Sequence, residues 1–133
     1  MSGMKFVAIR VLLTVFVISC SVAMAQGPSK PMTPARDSAM EVAARHNLDV
    51  ARWYLVKRKA YGGARDRLQE IIDTYPEFTR IDEVIFLMGE ANFKLKNADK
   101  ASEYYNKLQK EYPESEFAKR AQERLDEIKA EKK

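Results

Sequence analysis

Between Pro34 and Ala60 the apolar residues Ala39, Met40, Ala43, Ala44, Leu48, Ala51 and Leu55 recur three and four positions apart. That spacing gathers side chains on one face of an α-helix. Thr33 supplies a cap and Pro34 a first helical residue with its φ already set, and no glycine or further proline interrupts the run to Ala60. The pattern predicts one long helix here, or two nearly coaxial ones. Gly62–Gly63 is expected to break it. A second helix then runs to Tyr75 and stops at Pro76, two more follow with breaks near Asn97 and Pro113, and a fifth starts at Ser115. Its face of Phe117, Ala121, Leu125 and Ile128, with charged residues elsewhere, suits a solvent-facing cap. Helices without strands make the predicted class all-α.

A fixed offset of 37 residues lays one half of the chain on the other, the mark of stacked repeats. Ala64 falls on Ala101, Leu68 on Tyr105, Ile71 on Leu108, Tyr75 on Tyr112 and Pro76 on Pro113, while Ala51 falls on Met88 and then on Leu125. The small residue lets the two helices of a pair approach closely, and the bulky residues four and seven further on fill the groove between them. Proline then ends the helix so that the next pair can stack. Ala64 and Ala101 are expected to be the least replaceable positions.

Gly89, Ala101, Tyr105, Leu108 and Pro113 resemble the tetratricopeptide pattern of a glycine in the first helix, an alanine opening the second and a proline at its end. The first repeat keeps Ala64, Leu68, Ile71 and Pro76 but has Arg52 where the glycine belongs, so its first helix is expected to pack less tightly. The unit is about three residues longer than the usual ~34, and the excess falls between Pro76 and Asp82, where Phe78 is expected to pack. The predicted fold is a short tetratricopeptide-like solenoid of about two repeats, with a long N-terminal helix and a C-terminal capping helix.

The stretch from Leu48 to Leu68, with Trp53–Tyr54, the charged turn Lys57-Arg58-Lys59-Ala60-Tyr61 and then Tyr75–Pro76, is similar to the C-terminal repeats of the outer-membrane protein assembly factor BamD family. The resemblance spans roughly residues 40 to 118. It implies a lipid-anchored envelope protein that docks on the barrel-assembly machinery and has no catalytic role. The family's N-terminal repeats, which engage substrate polypeptides, have no counterpart in this length. The cell-division coordinator of the Tol-Pal system has similar Tyr-Pro-ended repeats, but residues 34–60 lack the sustained heptads of its usual coiled coil, which ranks it second. A purely structural stabiliser of an envelope complex is the other alternative.

Residues 1–25 carry Lys5 and Arg10, no acid, and the apolar run Val11–Ile18, and read as a secretory signal. The run is too short for the roughly 20 residues of a membrane-spanning helix. Two processing signals overlap. Ala23-Met24-Ala25 fits ordinary signal cleavage after Ala25, giving a periplasmic protein, and Val17-Ile18-Ser19-Cys20 resembles a lipobox, with lipidation at Cys20 and a place on the periplasmic face of the outer membrane. Residues 26–33 form a Gly- and Pro-containing tether, and 34–133 the helical domain. Cys20 is the only cysteine, which excludes a disulfide framework. Loss of Lys5 and Arg10 takes the formal net charge from +4 to +2, no footprint for nucleic acid.

No catalytic, metal or cofactor constellation is expected. His46 is the sole histidine and has no nucleophile to pair with, and Gly62–Gly63 has no Lys-Ser/Thr successor to make a phosphate loop. A protein partner is expected on the concave face, which first helices line in such stacks. The inward register selects His46, Asp49, Trp53 and Val56 in the first repeat and Glu83, Phe86, Glu90, Phe93 and Lys94 in the second. Trp53, Phe86 and Phe93 are interface anchors if exposed and core if buried. Lys57, Arg58, Lys59, Arg65 and Arg67 form either a solvated turn or a docking patch for an acidic partner or anionic lipid head groups.

Overall fold

The computed structural model describes residues 34–131; the segments expected to be a signal sequence and a tether, with Cys20 and Ala25, lie outside them. Helix α1 covers Pro34–Trp53 and runs on, without a kink at Trp53 (φ −62, ψ −40), into a turn of π-helix over Tyr54–Arg58. Helices α2 (Tyr61–Thr74), α3 (Ile81–Lys94), α4 (Ala98–Glu111) and α5 (Glu116–Glu131) follow, and no strand occurs among the described residues. None of these helices is long and apolar enough to cross a membrane.

Gly62–Gly63 does not break the chain. The break falls at Lys59, in the left-handed region at φ 52, and Ala60, and both glycines lie in the first turn of α2. The π-helical ending, with Ala60 N–H donating to Tyr54 O at 3.0 Å, already turns the chain, so the glycines are free for another task. A Cβ at Gly63 would stand 3.3 Å from the Tyr54 ring, so a glycine there lets α2 pass close to the end of the first helix.

The 37-residue offset extends to the backbone of the connectors. Lys96 repeats the left-handed conformation of Lys59, at φ 65. Ala64 and Ala101 donate to Ala60 O and Asn97 O at 3.0 and 2.9 Å, and Tyr75 and Tyr112 to Ile71 O and Leu108 O at 2.8 Å. Phe78 and Ser115 then donate to Tyr75 O and Tyr112 O, and Ile81 and Ala118 to Phe78 O and Ser115 O. Pro76 and Pro113, which lack an N–H, stop each second helix at the same place. The extra residues of the connector are held from inside in the first repeat, where Phe78 is buried in the core. In the second they are held by a cap, where Ser115 Oγ accepts from Phe117 N at 3.2 Å and donates to Asp82 of α3 at 2.6 Å.

Two apolar clusters fill the stack. The first joins Ala44, Leu48 and Ala51 of α1 to Leu68 and Ile71 of α2, Phe78, and Val84, Met88 and Ala91 of α3. The second joins Ile85 and Phe86 of α3 to Ala101, Tyr105 and Leu108 of α4 and Ala121, Leu125 and Ile128 of α5. Helix α3 therefore buries both faces, in keeping with the apolar run Val84–Met88 at its centre. Every residue matched by the offset, from Ala64/Ala101 to Ala51/Met88/Leu125, is buried except the half-buried tyrosines and the exposed prolines. Helix α5 takes the place of a third first helix. Positions 37 residues after the buried Ile85, Gly89 and Asn92 are Gln122, Asp126 and Lys129, all exposed, so its outer face is polar and caps the stack.

Candidate functional site: a concave cleft between α1, α3 and α5

The end of α1 with its π-turn, the middle of α3 and the start of α5 enclose a cleft of about 230 Å³. Leu55 and Val56 form one wall, Leu87, Glu90 and Lys94 the other, and Phe86 with Arg120 the base. Phe86 is 1 % exposed because it is covered from three sides: Tyr105 at 5.9 Å, Phe117 stacked at 5.4 Å, and the Arg120 guanidinium 4.4 Å above its ring. A cation placed over an aromatic face is attracted by the ring's quadrupole.

Two acids at and behind the cleft are paired with cations of the chain itself. Glu83, 5 % exposed, pairs with Arg52 from α1, whose Nε lies 2.8 Å from Oε1, and with Arg80. Arg52 is the residue in the glycine position of the first repeat, and its side chain crosses to α3, where it makes the ion pair that ties α1 to the next repeat. Glu90 accepts from Tyr105 Oη at 2.6 Å and from Arg124 Nε and Nη2 at 2.8 and 3.1 Å, which joins α3, α4 and α5. Burial, with Glu90 beside it, pushes the Tyr105 phenol far above its usual range, and the bonds to Glu90 and Glu127 hold Arg124 charged. Arg124 also lies 5.8 Å from the Phe93 ring. Lys94 and Arg120, by contrast, are exposed, and among the described residues neither lies within ion-pair distance of a carboxylate.

Of the nine residues selected from the sequence, Val56, Phe86, Glu90 and Lys94 meet at this cleft. His46 and Asp49 are exposed further back on α1, with Asp49 3.1 Å from Arg52. Trp53 is 48 % exposed beside the cleft and Val56 68 % exposed on its rim. Phe93 is half-buried under Arg124. Glu83 and Phe86 are buried, so Glu83 supports the cleft from below and Phe86 serves as core and base together; neither is a free anchor. The basic set divides. Lys57, Arg58 and Lys59 are exposed on the π-turn, Arg58 5.3 Å over Trp53, whereas Arg65 and Arg67 pair with Asp66 and Glu70 of their own helix.

The sequence reading missed Arg120. It stands 37 residues after Glu83, so carrying the inward register one repeat further selects it, together with Glu123 and Glu127. These three line a small adjoining cleft with Phe86 and Arg124. A larger crevice of about 910 Å³ at the other end of α1 was not anticipated either. There Glu41 accepts from Thr79 Oγ1 at 2.5 Å and Thr79 N at 3.3 Å, and these bonds lower its pKa below the usual carboxylate value. Among the described residues no group of three or more His, Cys, Asp or Glu is placed to hold a metal.

Compared with known protein families, residues 35–108 match the family described as YfiO, outer membrane lipoprotein. Comparison with curated proteins and with solved structures gives no match.

Proposed function

This chain belongs to the YfiO family of outer membrane lipoproteins, and from that premise we propose that it is a non-catalytic docking module of the bacterial envelope that serves outer-membrane protein assembly. The observation that carries this reading is the cleft, where the apolar Leu55, Val56 and Leu87 and two cations without a carboxylate partner, Lys94 and Arg120, surround the buried ring of Phe86. A rigid base is the arrangement of a protein-recognition surface, since a preorganised base loses little order on binding. No side chain in it is paired as nucleophile and base.

The family description bears on the anchor. A lipoprotein needs an acylated cysteine, and Cys20 is the only cysteine in the chain, which supports processing before Cys20 over cleavage after Ala25. Intact mass of the mature protein separates the two, because acylation adds the mass of the lipid to a chain that begins at residue 20.

Gentle detergent extraction followed by co-purification tests the docking role. Recovery with the barrel-assembly machinery is the expected result. Recovery with Tol-Pal components instead would assign the chain to cell-envelope division, and a chain recovered alone would leave it without the proposed role.

A further inference from the structure

We propose that the cleft between α1, α3 and α5 takes an acidic, apolar polypeptide segment, whose carboxylates meet Lys94 and Arg120 while its aliphatic or aromatic side chains lie on Leu55, Val56 and Leu87. This deepens the docking function above and rests on it.

The charges carry the assignment. Lys94 comes from the last turn of α3 and Arg120 from the start of α5, so the cleft is flanked by cations on two sides. Both are exposed, and neither has a carboxylate partner among the described residues. The acids near the cleft are not competitors: Glu83 is shared between Arg52 and Arg80, and Glu90 is held by Tyr105 and Arg124. Glu123 and Glu127 line the adjoining cleft with Arg120, where Glu127 is paired to Arg124 and Glu123 is beyond ion-pair distance of Arg120. Outward from the cleft, Lys57, Arg58 and Lys59 extend the positive field, and a cleft in which cations outnumber the single lining acid, Glu90, between apolar walls focuses that field on an incoming anion.

Arg120 has the geometry for a carboxylate. Its guanidinium carbon stands 4.4 Å from the centroid of the Phe86 ring, a contact that spends none of its N–H groups on a carboxylate, and Arg binds carboxylates in a two-pronged way better than any other side chain. A volume of about 230 Å³ falls short of the roughly 300–1,000 Å³ usual for small-molecule sites. It accommodates side chains of a segment laid along the groove. A membrane surface is disfavoured because Lys94 and Arg120 belong to a concavity with apolar walls, which a protruding side chain fills and a flat array of head groups does not.

The test uses the full mature protein and a fluorescein-labelled peptide of alternating glutamate and leucine, followed by anisotropy. The same peptide with lysine for glutamate and vesicles containing phosphatidylglycerol serve as competitors. The glutamate peptide is expected to bind, to weaken with added salt, and to lose roughly tenfold or more in affinity in Lys94→Glu/Arg120→Glu. Lys57→Glu/Lys59→Glu, outside the cleft, is expected to change it far less. Lys94→Gln, a single change at an exposed residue, provides the same test if the double variant fails to fold, with a smaller loss expected. Equal binding of the lysine peptide, no loss in the cleft variants, or vesicle binding that depends on Lys94 and Arg120 in place of peptide binding would each overturn the proposal. Recovery of the envelope partner by a double variant that no longer binds the glutamate peptide would overturn the assignment of this cleft while leaving the docking function standing.

Discussion

Gly89 is the position at which the structure makes its most demanding claim. A Cβ there would run into the ring of Tyr105, with Cε1 nearest, Cδ1 at 2.8 Å and Cζ at 2.9 Å. The ring has nowhere to go: it is fully buried, its hydroxyl is bonded to Glu90 at 2.6 Å and its face packs on Phe86. Overpacking of a well-filled core costs about 1–3 kcal/mol, and three ring atoms in conflict place Gly89→Ala at the upper end. Alanine favours the helix over glycine by about 1 kcal/mol, which leaves a net loss of about 2 kcal/mol. For a domain of this size that is a fall in Tm of about 8–16 °C. Urea unfolding of the mature protein by far-UV circular dichroism measures it, with an unchanged slope showing that the loss is one of stability. The first repeat pairs Arg52 with Leu68 at the equivalent positions, so a side chain is tolerated opposite leucine. In a Tyr105→Leu background, Gly89→Ala is therefore expected to be neutral or stabilising by up to about 1 kcal/mol. A midpoint for Gly89→Ala at or above that of the parent refutes the close approach, and an equal loss in both backgrounds refutes Tyr105 as its cause.

Ala101→Leu is expected to cost about 1–3 kcal/mol, because Ala101 is fully buried at the α3–α4 contact; the same denaturation series reads it, and a tolerated leucine would contradict the pairing. Glu41 has its pKa lowered chiefly by the Thr79 hydroxyl, so its contribution is present above the unfolded carboxylate value near 4.5 and is lost as pH falls through the lower folded value. Glu41→Gln should thus lower the urea midpoint at pH 7 but hardly at pH 3, and equal losses at both would remove the carboxylate as the source. Lys59→Gly and Lys96→Gly each relieve a left-handed lysine, at φ 52 and 65. A gain of about 0.5 kcal/mol is expected at each after the cost of glycine's freedom in the unfolded chain, and thermal melts of the two variants check it.

The fold was largely legible because its signals are local and repeated. Apolar spacing, Tyr-Pro endings and small residues at Ala64 and Ala101 act within a helix pair, and a residue's partner lies one offset away. The end of the first helix was not legible. A Gly-Gly pair usually marks a chain reversal, but here the π-turn supplies it through Lys59, an ordinary residue in a strained conformation, and Gly63 serves the packing of Tyr54 instead. The site was legible in part. The inward register located Val56, Phe86, Glu90 and Lys94, yet it could not show that Phe86 would be covered, since that depends on Phe117 and Arg120 arriving from a helix that reads as a cap. Nor does composition reveal that Arg52, the departure from the repeat pattern, would find Glu83 across the stack.

Helix α3, shared by both apolar clusters, has a consequence for how the molecule comes apart. Repeat arrays behave as chains of units coupled to their neighbours, and weak coupling lets ends melt alone. Here the two units have one helix in common, with Val84, Met88 and Ala91 committed to the first cluster and Ile85 and Phe86 to the second. Neither half keeps a complete interior once the other opens. The amide protons of α3 are therefore expected to exchange only through global unfolding, while those at the start of α1 and the end of α5 exchange through local fraying, so that a single all-or-none transition links the two ends of the stack.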